Sequence, residues 1–150
     1  MIPISKSDAK AVHPLARFVT VEAIALLLNL NPHEIYRIDC WRYVIHVVGK
    51  GVSTFVSYAD IPPILGVEPP QAEDINYWRK RWRKNKYQAP SFWVEFYNQK
   101  FKLASSISEI YRWGELINSI KFALPETALQ LLRGIYALNQ SLGFRVKPSI

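Results

Sequence analysis

Residues 79–86 read Arg79-Lys80-Arg81-Trp82-Arg83-Lys84-Asn85-Lys86, with six basic side chains in eight positions. Cations at that density are suited to one chemistry above others. They pair with phosphate oxygens and release the counterions condensed on a polyanion. Ile75, Trp78 and Trp82 recur at i, i+3 and i+7, the apolar stripe of a helix. Glu73 and Asp74 at its start and the basic run at its end both suit the helix dipole. Such a helix turns its cations to solvent, and Arg79, Lys80, Arg81, Arg83 and Lys84 become the phosphate candidates. The competing reading is a solvated face, or a patch for an acidic protein.

Other chemistries lack their parts. His13, His33 and His46 stand far apart, without the spacing of a metal motif. The carboxylate pairs Glu22/Glu34 and Glu73/Asp74 have no evident acid–base partner. Cys40 follows Asp39, whose charge disfavours a thiolate. Gly49-Lys50-Gly51 lies between two strand-like runs and lacks the spacing of a phosphate-cradling loop. The expectation is a protein that is not an enzyme, with no cofactor, no metal and no evident small-molecule effector.

Composition agrees with a binding role. The 150 residues carry 19 Lys and Arg against 12 Asp and Glu, a net charge of +7, and 13% are aromatic, including five Trp. Basic charge mixed with aromatics suits nucleic acid. A 49% hydrophobic content excludes disorder of the whole chain. The longest aliphatic run, residues 23–28, is far short of the roughly 18 residues needed to cross a bilayer. The opening residues are polar and contain no apolar signal region, and the single cysteine permits no internal disulfide. The expected location is the cytoplasm, in association with the nucleoid.

The elements that would position these groups begin after a lead segment, 1–19. Residues 21–29 read as a helix with Thr20 as N-cap and Glu22 in its first turn. After a break at Asn29-Leu30-Asn31, Asn31, Pro32 and Glu34 open a second helix over 32–41 with a capping-box pattern. Ile35 and Ile38 would face inward, with His33, Tyr36 and Arg37 outward. That pair of helices is a helix-turn-helix candidate. Residues 43–48 and 52–58 then alternate as strands around Gly49-Lys50-Gly51, a hairpin placed as a wing, and Asp60 is expected to cap a short helical turn.

The run from Val21 to Arg37, with Glu22-Ala23-Ile24-Ala25-Leu26-Leu27 leading into Asn31-Pro32-His33-Glu34-Ile35-Tyr36-Arg37, resembles the first helix pair of excisionase and MerR-type winged helices. Thr54-Phe55-Val56-Ser57-Tyr58-Ala59-Asp60-Ile61 is similar to their wing exit. The likeness covers residues 19–66. It departs at Asn29-Leu30, where the family has Gly plus an aliphatic residue, and at Glu34 and Asp39, whose charges oppose phosphate. One reduced MerR-type group, the repressors that accompany CRISPR-associated transposons, has a similar size and layout, although no motif singles it out. The resemblance implies that helix 32–41 enters a major groove. Tyr36 and Arg37 would be its main contacts, His33 would sit at its N-terminus, and Arg42 and Lys50 would touch DNA from the wing.

Beyond the basic connector, Ser91–Tyr97 and Lys100–Ala104 alternate around Asn98-Gln99 as a second hairpin. Ser106 and Glu109 form a capping-box pattern before a helix with Ile110, Trp113, Ile117, Ile120 and Leu124 at a/d spacing. A last helix follows Pro125 and ends at Gly143. The expected fold class is α+β: a winged helix-turn-helix with a basic helix over 20–88, then a hairpin-plus-helices unit over 89–150 that forms a dimer. Trp93, Tyr97, Ile110, Trp113, Ile117, Ile120 and Leu124 are the interface candidates. The expected function is a sequence-specific, homodimeric regulator of double-stranded DNA, of repressor type. The alternatives are an excisionase-like architectural protein, an RNA-binding subunit using Trp78, Trp82, Trp93 and Tyr97 to stack on bases, and an adaptor without DNA binding.

Overall fold

The computed structural model describes residues 4–6, 13–83 and 91–146. The fold is mixed α+β and divides into two compact units, Met1–Pro62 and Pro63–Ile150. The basic helix belongs to the second unit, so the boundary lies well ahead of the one expected near residue 88.

The first unit is built on a four-stranded sheet in the order β1-β2-β3-β4. β1 (Ile4–Lys6) pairs parallel with β2 (Ile35–Cys40). β2, β3 (Ile45–Gly49) and β4 (Val52–Val56) run antiparallel. Period-two alternation buries Ile38, Cys40, Ile45, Val47 and Val56 on one face. Leu15, Phe18, Ala23 and Ile24 join that core. The segment expected to be a mere lead is therefore structural: Pro14–Phe18 forms a 3-10 turn whose first amides are capped by His13 Nδ1, which accepts from Leu15 N–H at 3.0 Å. His13 also stacks on Tyr58 at 4.4 Å, and the Tyr58 hydroxyl donates to the Trp41 carbonyl.

α1 (Val21–Leu28) starts at Thr20, whose Oγ1 accepts the Ala23 N–H at 3.1 Å. It ends at Asn29, which holds φ 59° and ψ 45° while Leu30 N–H reaches back to the Ala25 carbonyl at 2.8 Å. Asparagine tolerates this left-handed conformation better than alanine. Asn29→Ala is expected to cost about 1 kcal/mol in urea unfolding and Asn29→Gly to cost almost nothing. Equal losses for the two would remove the conformational argument.

The second helix of the expected pair does not form. Asn31, Pro32 and Glu34 do make the capping box, but the 3-10 turn Pro32–Glu34 stops at Ile35, which is extended at φ −89° and ψ 116°. Ile35–Cys40 is strand β2, so Tyr36 and Arg37 stand on a sheet and no recognition helix enters a groove. The expected hairpin is present as β3 and β4, with Gly51 at φ 72° in its turn, but without a helix-turn-helix for it to flank as a wing. Asp60 ends a 3-10 turn (Tyr58–Asp60) that Ser57 caps, and so does not cap it itself.

The second unit contains helices and no strand among its described residues, after a non-helical stretch over 63–71. α2 (Ala72–Arg83) is followed by α3 (Phe92–Leu103), α4 (Ile107–Ser119), a 3-10 turn at Lys121–Ala123, and α5 (Glu126–Val146). The expected second hairpin is α3, with Trp93, Phe96, Tyr97 and Phe101 buried at helical spacing. α4 starts as expected, Ser106 Oγ accepting from Glu109 N–H at 3.1 Å. α5 runs past Gly143 to Val146. Trp78, Trp82, Trp93, Phe96 and Tyr97 pack edge to face and stacked, with centroids 4.8–6.5 Å apart. Among the described residues no helix is long and apolar enough to cross a membrane.

Candidate nucleic-acid interface

α2 displays its cations because of what it buries. Trp78 and Trp82 are in the core against Trp93. Arg79, Lys80 and Arg83 are exposed, and Arg81 is half-buried. Lys84 lies outside the described residues. Arg79, Lys80 and Arg83 make no ion pair with any described residue. The acid nearest in sequence is used internally: Asp74 is buried and its Oδ2 accepts the Gln71 N–H at 2.8 Å.

The Lys121–Ala123 turn packs against α2. Between them lies a cleft of about 160 Å³ lined by Arg79, Trp82, Arg83, Phe122 and Ala123. Phe122 is 74% exposed, and Lys121 Nζ sits 5.2 Å from its ring centroid. Neither residue was among the sequence candidates. The signal was present, because Phe122 falls off the Ile117, Ile120, Leu124 stripe and had no core position to fill.

The first unit's candidates are differently placed. His33 is exposed on the Pro32–Glu34 turn, and Tyr36 and Arg37 are exposed on β2. Arg37 Nε donates to Asp39 Oδ1 at 3.0 Å. The Arg42 guanidinium lies 5.2 Å from the Tyr43 ring centroid. Lys50 is at the hairpin tip with Nζ 3.6 Å from Glu34 Oε2. The hydrogen bond from Asn31 N–H, with Lys50 assisting, holds the Glu34 carboxyl below its ordinary range. A depressed carboxyl stabilises above its unfolded pKa, and that contribution is lost as pH falls through the folded one. Arg37 and Lys50 thus each stand exposed beside a carboxylate.

The charge is divided accordingly. Residues 1–62 carry six Lys and Arg against five Asp and Glu, while residues 63–150 carry thirteen against seven. Six of the seven net charges therefore belong to the second unit. The solvent face of the sheet offers aromatics instead. Trp41, His46 and Phe55 cluster at centroid distances of 5.1–5.8 Å, with Trp41 45% and Phe55 60% exposed.

Two sets of candidates are corrected. Trp93, Tyr97, Ile110, Trp113, Ile117, Ile120 and Leu124 are all buried, which leaves them no surface for a second copy. Trp78 and Trp82, with Trp93 and Tyr97, are equally unable to stack on bases. Trp78, Trp82, Trp93, Phe96 and Tyr97 are core. The apolar side chains that do face solvent in this unit include Leu103, Leu131 and Leu138. Among the described residues no group of three His, Cys, Asp or Glu could hold a metal ion. Comparison with protein-family models, with curated proteins and with solved structures finds no match to this chain.

Proposed function

We propose that the chain binds double-stranded DNA by its phosphate backbone and acts as a homodimeric regulator of repressor type. One observation carries the reading: α2 holds Arg79, Lys80 and Arg83 exposed and unpaired among described residues, above a stripe of buried indoles. Backbone cations give affinity and position without reading sequence. Base reading falls to the hairpin-tip end of the first unit, where Lys50 stands beside the His33 turn and Tyr36 and Arg37 follow on β2, with Arg42 left at the opposite end of the sheet. A two-stranded ribbon fits a major groove as a helix does. Occupying a promoter is sufficient to repress it, so no sensing unit is required. Titration of a duplex against salt, with the α2 cations present and removed, tests the proposal.

The dimer belongs to the same reading, because paired half-sites are met by symmetric dimers. Leu131, Ile135 and Leu138 recur at i, i+4 and i+7 on α5, with Leu131 and Leu138 exposed. Sedimentation at micromolar concentration is expected to give a dimer, and Leu131→Glu a monomer. A monomeric parent chain would remove the half-site argument.

A further inference from the structure

The cleft between α2 and the Lys121–Ala123 turn brings together groups from two segments of the chain. Arg79 and Arg83 come from successive turns of one helix, and Phe122 from the other segment. Lys121 adds a third cation beside the Phe122 ring. Two planar guanidiniums suit bidentate recognition of a phosphate. An exposed aromatic ring beside them suits a base. Trp82 lines the same cleft, with its Nε1 itself buried below the surface.

We propose that this cleft binds a single nucleoside phosphate in an unpaired state. The phosphate lies on Arg79 and Arg83, and the base lies against Phe122. A base inside a duplex cannot present its face to Phe122, so the ligand is a frayed end, an extruded base, a single strand or a free nucleotide. The inference rests on reading α2 as a phosphate-binding surface, and adds to it a selective position for an unstacked base.

The test uses the full chain and reads binding by tryptophan fluorescence and anisotropy. The probes are an oligothymidylate of about ten nucleotides, thymidine 5′-monophosphate, inorganic phosphate and a mixed-sequence duplex. Phe122→Ala is expected to weaken the oligothymidylate about tenfold, and Phe122→Trp to restore it. Phe122 is exposed, so neither change threatens the fold, and circular dichroism checks that it does not. Tighter binding of the oligothymidylate than of the monophosphate identifies a strand as the source; equal binding per site identifies a free nucleotide. Two outcomes overturn the assignment: Phe122→Ala binding within about twofold of the parent chain, or inorganic phosphate competing as well as the monophosphate. If the parent chain ignores the duplex yet binds oligothymidylate through Phe122, the duplex reading falls and the cleft stands.

Discussion

Replacing Arg79, Lys80 and Arg83 together by alanine is expected to lower duplex affinity by about three and a half orders of magnitude at about 50 mM salt and about two at about 200 mM. The estimate follows from counterion release. Each phosphate contact contributes about 0.9 to the slope of log affinity against log salt, so losing three flattens it by about 2.7. The two affinity curves then converge toward 1 M salt, where release costs nothing. Cognate and random duplexes should lose about equally, because phosphate contacts carry no sequence information. The fold should survive. All three side chains are exposed, alanine favours helix, and the buried Trp78 and Trp82 are untouched. An unchanged salt slope in the triple variant would remove the phosphate role of α2 and the proposed function with it.

The largest expected effect on stability is at Trp93. It is fully buried and meets Trp82 at 4.8 Å and 82°, Trp78 at 5.6 Å and 89°, and Tyr97 at 6.5 Å and 84°. Truncation leaves a ring-sized void that such a packed cluster cannot close. Trp93→Ala should therefore cost about 3–5 kcal/mol in denaturant unfolding and lower the melting temperature by about 10–20 °C. The more conservative Trp93→Phe keeps an aromatic edge in place and should cost much less. A surface tryptophan reserved for a partner would behave oppositely, changing assembly while leaving stability within about 1 kcal/mol. That second pattern would return Trp93 to the interface.

Local rules found α1, the β3–β4 hairpin, α2 and the start of α4, because their caps, turns and stripes are written in adjacent residues. They failed at Ile35–Cys40 for a specific reason. The pairing of β2 with β3 shifts register between Ile35 and Arg37, a bulge at Tyr36. The bulge puts Ile35 and Ile38 inward at a spacing of three, which imitates one turn of helix. What decides for a strand is pairing with β1 on one side and β3 on the other, and neither partner is legible within a local window.

At residues 91–104 the error was of another kind. Trp93, Phe96, Tyr97 and Phe101 carry helical spacing in plain view. So many neighbours are also apolar that a period of two could be laid over them. The cations of α2 were legible as a candidate site. Phe122 could be read as a side chain without a core position, but its place beside Arg79 and Arg83 depends on contact between segments some forty positions apart.

The hairpin tip has a consequence for recognition. Lys50 N–H donates to the Glu34 carbonyl at 2.9 Å, and a Cβ on Gly49 would come within 2.8 Å of that same oxygen. Only glycine lets the two backbones approach so closely. The loop that carries Lys50 and the turn that carries His33 are thereby welded into one piece. If the tip meets DNA as proposed, it would do so already shaped and surrender little freedom on docking, so less of its contact energy would be consumed in becoming ordered.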